Sequence, residues 1–417
     1  MNDLRKIGSR LQERYRVPDS LGVKSAPESS PEFLEFIEQT DVLIESLLLE
    51  SYSHSGYSNP WQRALLATYY ALRCLLPDRI RERLQRRYLL QRTESFPAWP
   101  VDFTADVLLE NQLARLMNET GVDSVPFIWF WPNECKACAI VTHDVETERG
   151  TGFCHDLIDL DVSFGFRASF QIVPEERYDF PPTLLDEIRK SGFEIAVHDL
   201  NHDGRLYLNH KTFSRRIGIV NRYGKEFAAN GFRAGVMYRN QRWFDELEFE
   251  FDMSVPNNAK FEPQGGGCCS VMPYFIGHLL ELPLTTAQDY TLFHILNDFS
   301  PDIWLEQVDA IYQKHGLISV LTHPDYIMEP KALAAYKLLL GRLTELRENG
   351  DLWVATPCEL NQWWRQRSRL KLERKQNGEW RIVGDDASRA SIARAVLSNG
   401  TISYELNGRE VLPAPMR

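Results

Sequence analysis

Long apolar runs are missing from this chain. The best candidate, Leu43 to Leu49, is interrupted by Glu45 and closed by Glu50. It falls far short of the ~20 apolar residues a membrane-spanning helix needs. The first residues, MNDLRKIGSRLQERYRV, hold no apolar core of the kind that directs secretion, so a cytoplasmic location is expected. Positive charge is in deficit: 47 Lys and Arg face 58 Asp and Glu, a net charge of −11. That balance excludes nucleic acid as the main partner. Cysteine is scarce and odd in number, 7 in 417 residues, which excludes a disulfide framework. Cys135 and Cys138 form a C-x-x-C, but no second pair stands at zinc-site spacing, and Cys268 with Cys269 reads as part of a loop. Internal repeats and low-complexity tracts are also missing.

What is present, 43% hydrophobic and 25% charged residues, suffices for a large core and more than one folded unit. Residues 1–132 read as a helical region. SPEFLEFIEQTDVLIESLLLES starts at a Ser-Pro pair, carries Glu32 in its first turn and repeats apolar residues every three or four positions. NPWQRALLATYYALRCLLPDRIRERLQRRYLLQR continues the pattern across Pro77. In its second half Arg79, Arg81, Arg83, Arg86, Arg87 and Arg92 line the side opposite Ile80, Leu84 and Leu89. A solvated helix face is the plain reading. The sharper one is peripheral contact with an anionic lipid surface at the inner membrane face, or with a lipid-linked phosphate. Residues 369–417 hold GEWRIVG and GTISYELNG, which predict a small C-terminal β-rich appendage.

Residues 133–368 have a different texture. AIVTHDV, RASFQIV, FEIAVHD, FRAGV, FEFDMSV, LELPLTT, LISVLTHP and LWVATP read as short buried strands. Between several of them lie amphipathic stretches ending in Gly, such as PPTLLDEIRKSG and SPDIWLEQVDAIYQKHG. Strand, helix, Gly, strand is the rhythm of a parallel α/β protein. Eight strand candidates over ~220 residues suit a (β/α) barrel of seven or eight strands better than an open sheet.

In such a barrel the working residues stand at the carboxyl ends of the strands. His143, Asp144 and Glu146 follow AIV; His198, Asp199, His202 and Asp203 follow FEIAV; Arg233 follows GF; His323 and Asp325 follow LISVLT. Residues two apart on a strand share a face, so Asp144 and Glu146 converge while His143 points away. Two carboxylates in one place repel unless a cation or a shared proton intervenes. His198 and His202, four apart, face one way if the chain curls into a helical turn. Two imidazoles and a carboxylate form a three-ligand set that leaves a divalent metal open to water, and the second carboxylate is then free to act as a base. Asp199 and Asp203 read as loop-shaping residues.

Over roughly residues 139–360 the pattern resembles the polysaccharide deacetylases of carbohydrate esterase family four. VTHDVE is similar to that family's first motif, which implies Asp144 as catalytic base and Glu146 as metal ligand. HDLNH is similar to its H-S-x-x-H motif, implying His198 and His202 as ligands. GFRAGVMYR is similar to R-x-P-x-G, implying that Arg233 orients the base, although Ala234 and Gly235 stand where Pro is common. LTHP implies His323 as general acid. LELPLTTAQDYTLF supplies the remaining motif through Glu281 or Asp289. The resemblance also implies a distorted, often seven-stranded barrel and a divalent metal, zinc being the expected one. A backbone N–H after Arg233 is a candidate oxyanion donor. Tyr238, Trp243, Tyr290 and Tyr326 stand near strand ends, as a sugar platform or as barrel packing.

The expected activity is metal-dependent removal of N-acetyl groups from an amino-sugar glycan or from a lipid- or nucleotide-linked sugar precursor. Two other readings stand beside it: hydrolysis of cyclic amides, as in allantoinases and imidases, and a barrel that binds a glycan without turnover. A small closed pocket favours the cyclic amide, and a long aromatic groove favours the glycan.

Overall fold

The stretch Ala137–Val145 is buried at all nine positions, as a central parallel strand covered on both faces must be. A computed structural model describes residues 9–18, 31–53, 78–179 and 181–411; residues 59–77, expected to be helical, and the side chains of Arg79 and Arg81 lie outside that description. Seven of the nine strands of the central sheet are β1 (Ala137–Val145), β2 (Ser169–Ile172), β3 (Glu194–His198), β4 (Gly231–Arg233), β5 (Phe251–Asp252), β6 (Leu279–Glu281) and β7 (Leu317–Thr322). Each pairs in parallel with the next from β1 to β6, and β7 pairs in parallel with β1.

The gap between β6 and β7 closes through two threonines. The far edge of β6 is taken by the short antiparallel strand Tyr274–Ile276, so closure falls to the residues beyond β6. Thr285 Oγ1 donates to Leu317 O at 2.7 Å and accepts from Ser319 N at 2.9 Å. Thr286 Oγ1 donates to Ser319 O at 2.8 Å. The result is a distorted seven-stranded ring. The eighth expected strand, Leu352–Val354, stays outside it. It pairs with Ala137–Ala139 on the edge whose later residues, Thr142–Val145, pair with β2. The nine-residue β1 outruns the four-residue β2, and the unpaired start of that edge receives the extra strand.

Helices Pro182–Lys190, His210–Glu226, Asp302–Gln313 and Pro330–Glu348 fall between the strands where the amphipathic stretches predict them, and Glu148–Ser163, for which no stretch was singled out, adds a fifth. Side-chain caps fix the starts of two of the five: Thr147 accepts from Gly150 N, and Asn209 accepts from Thr212 N. The helix Pro357–Arg369 begins with a full capping box, Thr356 with Glu359.

Ahead of the ring, helices Ser9–Tyr15, Pro31–Leu48, Asp78–Leu90 and Thr104–Thr120 make up most of the described N-terminal region. One stretch there departs from the helical expectation. Ser124–Ile128, rich in β-branched and aromatic side chains, is a strand that pairs antiparallel with Ile392–Ser398. The C-terminal strands are therefore joined to the chain that enters the barrel. Arg367, 1% exposed, donates to the carbonyls of Ile128, Trp129 and Arg14, and Tyr15 shares a 2.8 Å hydroxyl hydrogen bond with Tyr404. No helix among the described residues is long and apolar enough to cross a membrane. Cys138 lies inside β1, and burial pushes both its thiol and that of Cys135 up, so neither is poised as a thiolate.

Candidate active site

Alternation along β1 separates three neighbouring polar residues. His143 points out to the helices: its Nε2 lies 2.7 Å from Asp161 Oδ2, its Nδ1 lies 2.8 Å from Thr322 Oγ1, and Tyr336 donates to Asp161 at 2.8 Å. Asp144 and Glu146 point into the ring mouth. Arg233, at the end of β4 and fully buried, places Nη1 2.7 Å from Asp144 Oδ1 and is braced by Met253 O at 3.0 Å.

Three imidazoles close on one oxygen. Glu146 Oε1 stands 2.9 Å from His202 Nε2, 3.3 Å from His198 Nε2 and 3.4 Å from His323 Nε2. Asp144 Oδ2 is 3.5 Å from His198 Nε2. Two overlapping sets, Glu146 with His198 and His202, and Asp144 with Glu146 and His323, keep their donor atoms within 4.8 Å of one another. His202 Nε2 is buried and, despite its closeness to Glu146, has no hydrogen bond of acceptable geometry. An orphaned imidazole nitrogen beside a carboxylate is what a shared metal ligand set leaves behind, so these residues fit a divalent cation.

The two histidines face each other by a different route from the helical turn expected. Asp199 and His202 both adopt left-handed backbone, φ 57° and 50°, which folds the chain back and brings the rings to 4.9 Å. Such conformations are costly for residues other than glycine and cluster at functional sites. Gly235 makes room: a Cβ there would sit 2.5 Å from Asp199 Oδ2 and 2.8 Å from His202 Cδ2. Asp203 shapes the same loop, pairing with Arg216 at 2.7 Å.

Of the two acids left open, Glu281 at the end of β6 and Asp289 beyond it, geometry selects Asp289. Its Oδ1 lies 2.6 Å from His323 Nδ1 and its Oδ2 accepts from His323 N at 2.6 Å. Glu281 instead faces Asp252 across the β5–β6 pair. The expected oxyanion donor is unavailable at Ala234, whose N–H is given to Ser254 Oγ at 2.8 Å.

The charges are matched to acid–base work. Burial opposes the ionised form of Asp144, but Arg233, then His198 and His323, outweigh it and hold the carboxyl below its usual range. Glu146 is likewise held well below, against burial, by His202 and His323. Burial also opposes a charged His323, yet Asp289 and then Glu146 raise it well above the ordinary histidine value.

The four aromatic candidates separate. Tyr326 lies 4.8 Å from the His323 ring and Tyr290 lies 5.8 Å from Tyr326, so both border the site. Trp243 stacks on Tyr207 at 6.0 Å and packs against Phe213, and Tyr238 is buried in the same core. Asp161, Thr322 and Asp252 are buried partners that the sequence reading did not single out; being polar within or beside apolar runs is the only signal they carry.

No family model and no curated protein matches the chain. Among solved structures it is similar to a Mycobacterium smegmatis protein described as a polysaccharide deacetylase, at 20% identity and TM-score 0.47, covering 57% of this chain and 93% of that one. It is similar to Puue allantoinase at 15% identity and TM-score 0.47, covering 56% and 92% of the two chains. A third similarity, at 13% identity and TM-score 0.43, is to a Pseudomonas aeruginosa PAO1 structure described as a polysaccharide deacetylase, over 56% of this chain and 92% of that one.

Proposed function

We propose that this protein is a metal-dependent hydrolase that removes N-acetyl groups from an amino sugar in a glycan or glycan precursor. The observation that carries the reading is the convergence of His198, His202 and His323 on Glu146, beside an Asp144 tied to Arg233. Held by Glu146, His198 and His202, a divalent cation such as zinc would supply a water acidified far below bulk water, to a pKa of about 7, and an electrophile for a carbonyl oxygen. Asp144, kept ionised and oriented by Arg233, takes the proton of the attacking water. Oxygen bonds to the carbonyl carbon, the C–N bond breaks, and His323 delivers its proton to the departing nitrogen. Asp289 fixes which imidazole nitrogen faces the substrate and sustains the charge on that ring. Acetate and a free amine result.

The preferred substrate carries its sugar on a lipid or a nucleotide, and the exposed Arg83 and Arg87 on the helix Asp78–Leu90 support an anionic carrier at the inner membrane face. One observation favours a second reading. The five polar side chains of the site are only 1–14% exposed, an enclosure that also suits a cyclic amide.

Metal content and acetate release, measured together on the wild type and on His198→Ala, test the proposal. Stoichiometric metal and acetate from an N-acetylated glycan panel, both lost in the variant, are expected. Metal without acetate, with turnover of cyclic amides, would replace the acetamide by the second reading. A wild type that binds no metal would sink both.

A further inference from the structure

We propose that the N-terminal helical region is a fixed wall of the catalytic mouth, and that it limits the substrate to a small N-acetylated molecule or to the terminal residue of a chain. The inference rests on the deacetylase reading above and adds a limit on substrate size.

The loops after β4, β5 and β6 leave the ring at its carboxyl end, where Arg233 and Asp289 work. N-terminal residues hold all three, and Glu50 ties the first two together. After β4, Arg239 forms a buried ion pair with Glu50, with Nε at 2.6 Å, and the same carboxylate accepts Gly267 N at 2.6 Å. After β5, Arg92 donates to Glu262 O at 2.6 Å and to Pro263 O at 2.8 Å, and Tyr52 donates to Gly267 O at 2.7 Å. After β6, Tyr290 donates to Gln85 Oε1 at 2.8 Å. Tyr290 follows Asp289 in the chain, and its ring contacts His294 at 5.3 Å, which contacts Tyr326 at 4.6 Å, next to His323.

The wall is therefore continuous from the helix Asp78–Leu90 to the proton donor. Glu50 and Arg239 are 4% and 3% exposed, and separating a buried pair is costly, so the wall stays in place during turnover. Across the ring, Glu146 at 14% is more exposed than Asp144, His198, His202 or His323, and its carbonyl accepts Arg177 Nε at 3.0 Å from the loop after β2. Among the described residues, the ring side opposite the wall, at the loops after β1 and β2, is the one no N-terminal residue named above holds. A polymer bound through an internal residue needs room on both sides of the reacting sugar, whereas a chain end needs room on one.

The test uses the metal-loaded full chain and N-acetylglucosamine oligomers of one to six residues. Product amines are located by mass spectrometry, and oligomer affinity is measured by calorimetry. One acetate per chain, released from the terminal residue, with affinity independent of length beyond two sugars, is the expected result. In Gln85→Ala combined with Arg92→Ala, acetate should rise above one per chain while metal content is unchanged; Gln85→Ala alone serves if the double variant does not fold. Internal deacetylation by the wild type, with kcat/KM climbing with length, would overturn the wall. Full metal with no acetate from any oligomer, one residue included, would overturn the deacetylase reading beneath it.

Discussion

At the scale of single residues, Glu281 at the end of β6 and Asp289 beyond it make different predictions. Asp289 is the partner that keeps His323 charged, so Asp289→Asn lowers the imidazole pKa and moves the alkaline limb of the kcat profile to lower pH. Loss of a positioned general acid is worth about 10²–10⁴-fold, and kcat should fall at the lower end of that range with metal content intact. An unmoved alkaline limb would show that the pair does not tune the acid. Glu281 plays a structural part. Its Oε2 is buried with no donor facing it, Asp252 is its cross-strand neighbour, and burial followed by Asp252 holds its carboxyl well above the usual range. A proton shared by the two acids supplies the missing donor. A carboxyl raised in the folded state loses stability as pH climbs above the unfolded value, by about 1 kcal/mol per pH unit. Glu281→Gln carries its own donor, so it should melt higher than the wild type at pH 8 and alike at pH 4. Equal melting at both would rule out the shared proton. Sequence alone leaves Glu281 and Asp289 interchangeable, because both are acids in the one stretch LELPLTTAQDYTLF. Only the folded ring shows that one meets His323 and the other meets Asp252.

At the scale of elements, the loop after β4 carries more of the site than its motif suggests. Arg233 is legible in GFRAGV, but the need for Gly235 is set by two residues of another loop, Asp199 and His202, that arrive over it in left-handed conformation. Gly235→Ala should displace His202 and weaken metal binding about 10–100-fold, as lost support of a ligand does elsewhere. A chelator competition reads this directly, and unchanged affinity would mean the loop yields freely. The regular elements were easier to read. All eight predicted strands exist, and period, Gly stops and caps set the helices between them. The strand Ser124–Ile128 escaped because its partner lies far along the chain, with Ser124 opposite Val396, and no local pattern reports a pairing so distant. The eighth strand's place outside the ring follows from the unequal lengths of β1 and β2, a comparison that only pairing makes visible.

At the scale of the whole molecule, the N-terminal region and the barrel are fastened by Glu50 and Arg239. Glu50→Gln leaves a buried guanidinium uncompensated, a loss of about 3–5 kcal/mol. Urea melting should register that loss while metal content stays stoichiometric, since no metal-ligand candidate touches the pair. A loss under 1 kcal/mol would mean that water reaches Arg239 and that the wall is loose. The wall itself was not foreseen, because Gln85, on a helix, and Glu50 and Arg92, just past the ends of two others, are ordinary polar residues that gain meaning only through loops 170–205 positions further on.

The hydroxyl bond between Tyr15 and Tyr404 spans 389 positions and sets a timetable for synthesis. A ribosome has released every residue from Asp144 to His323 well before Tyr404 emerges, so the nascent chain can gather its carboxylates and imidazoles while the first helix still lacks its last neighbour. A metal held by Glu146, His198 and His202 would then have its ligands in place before Tyr15 meets Tyr404.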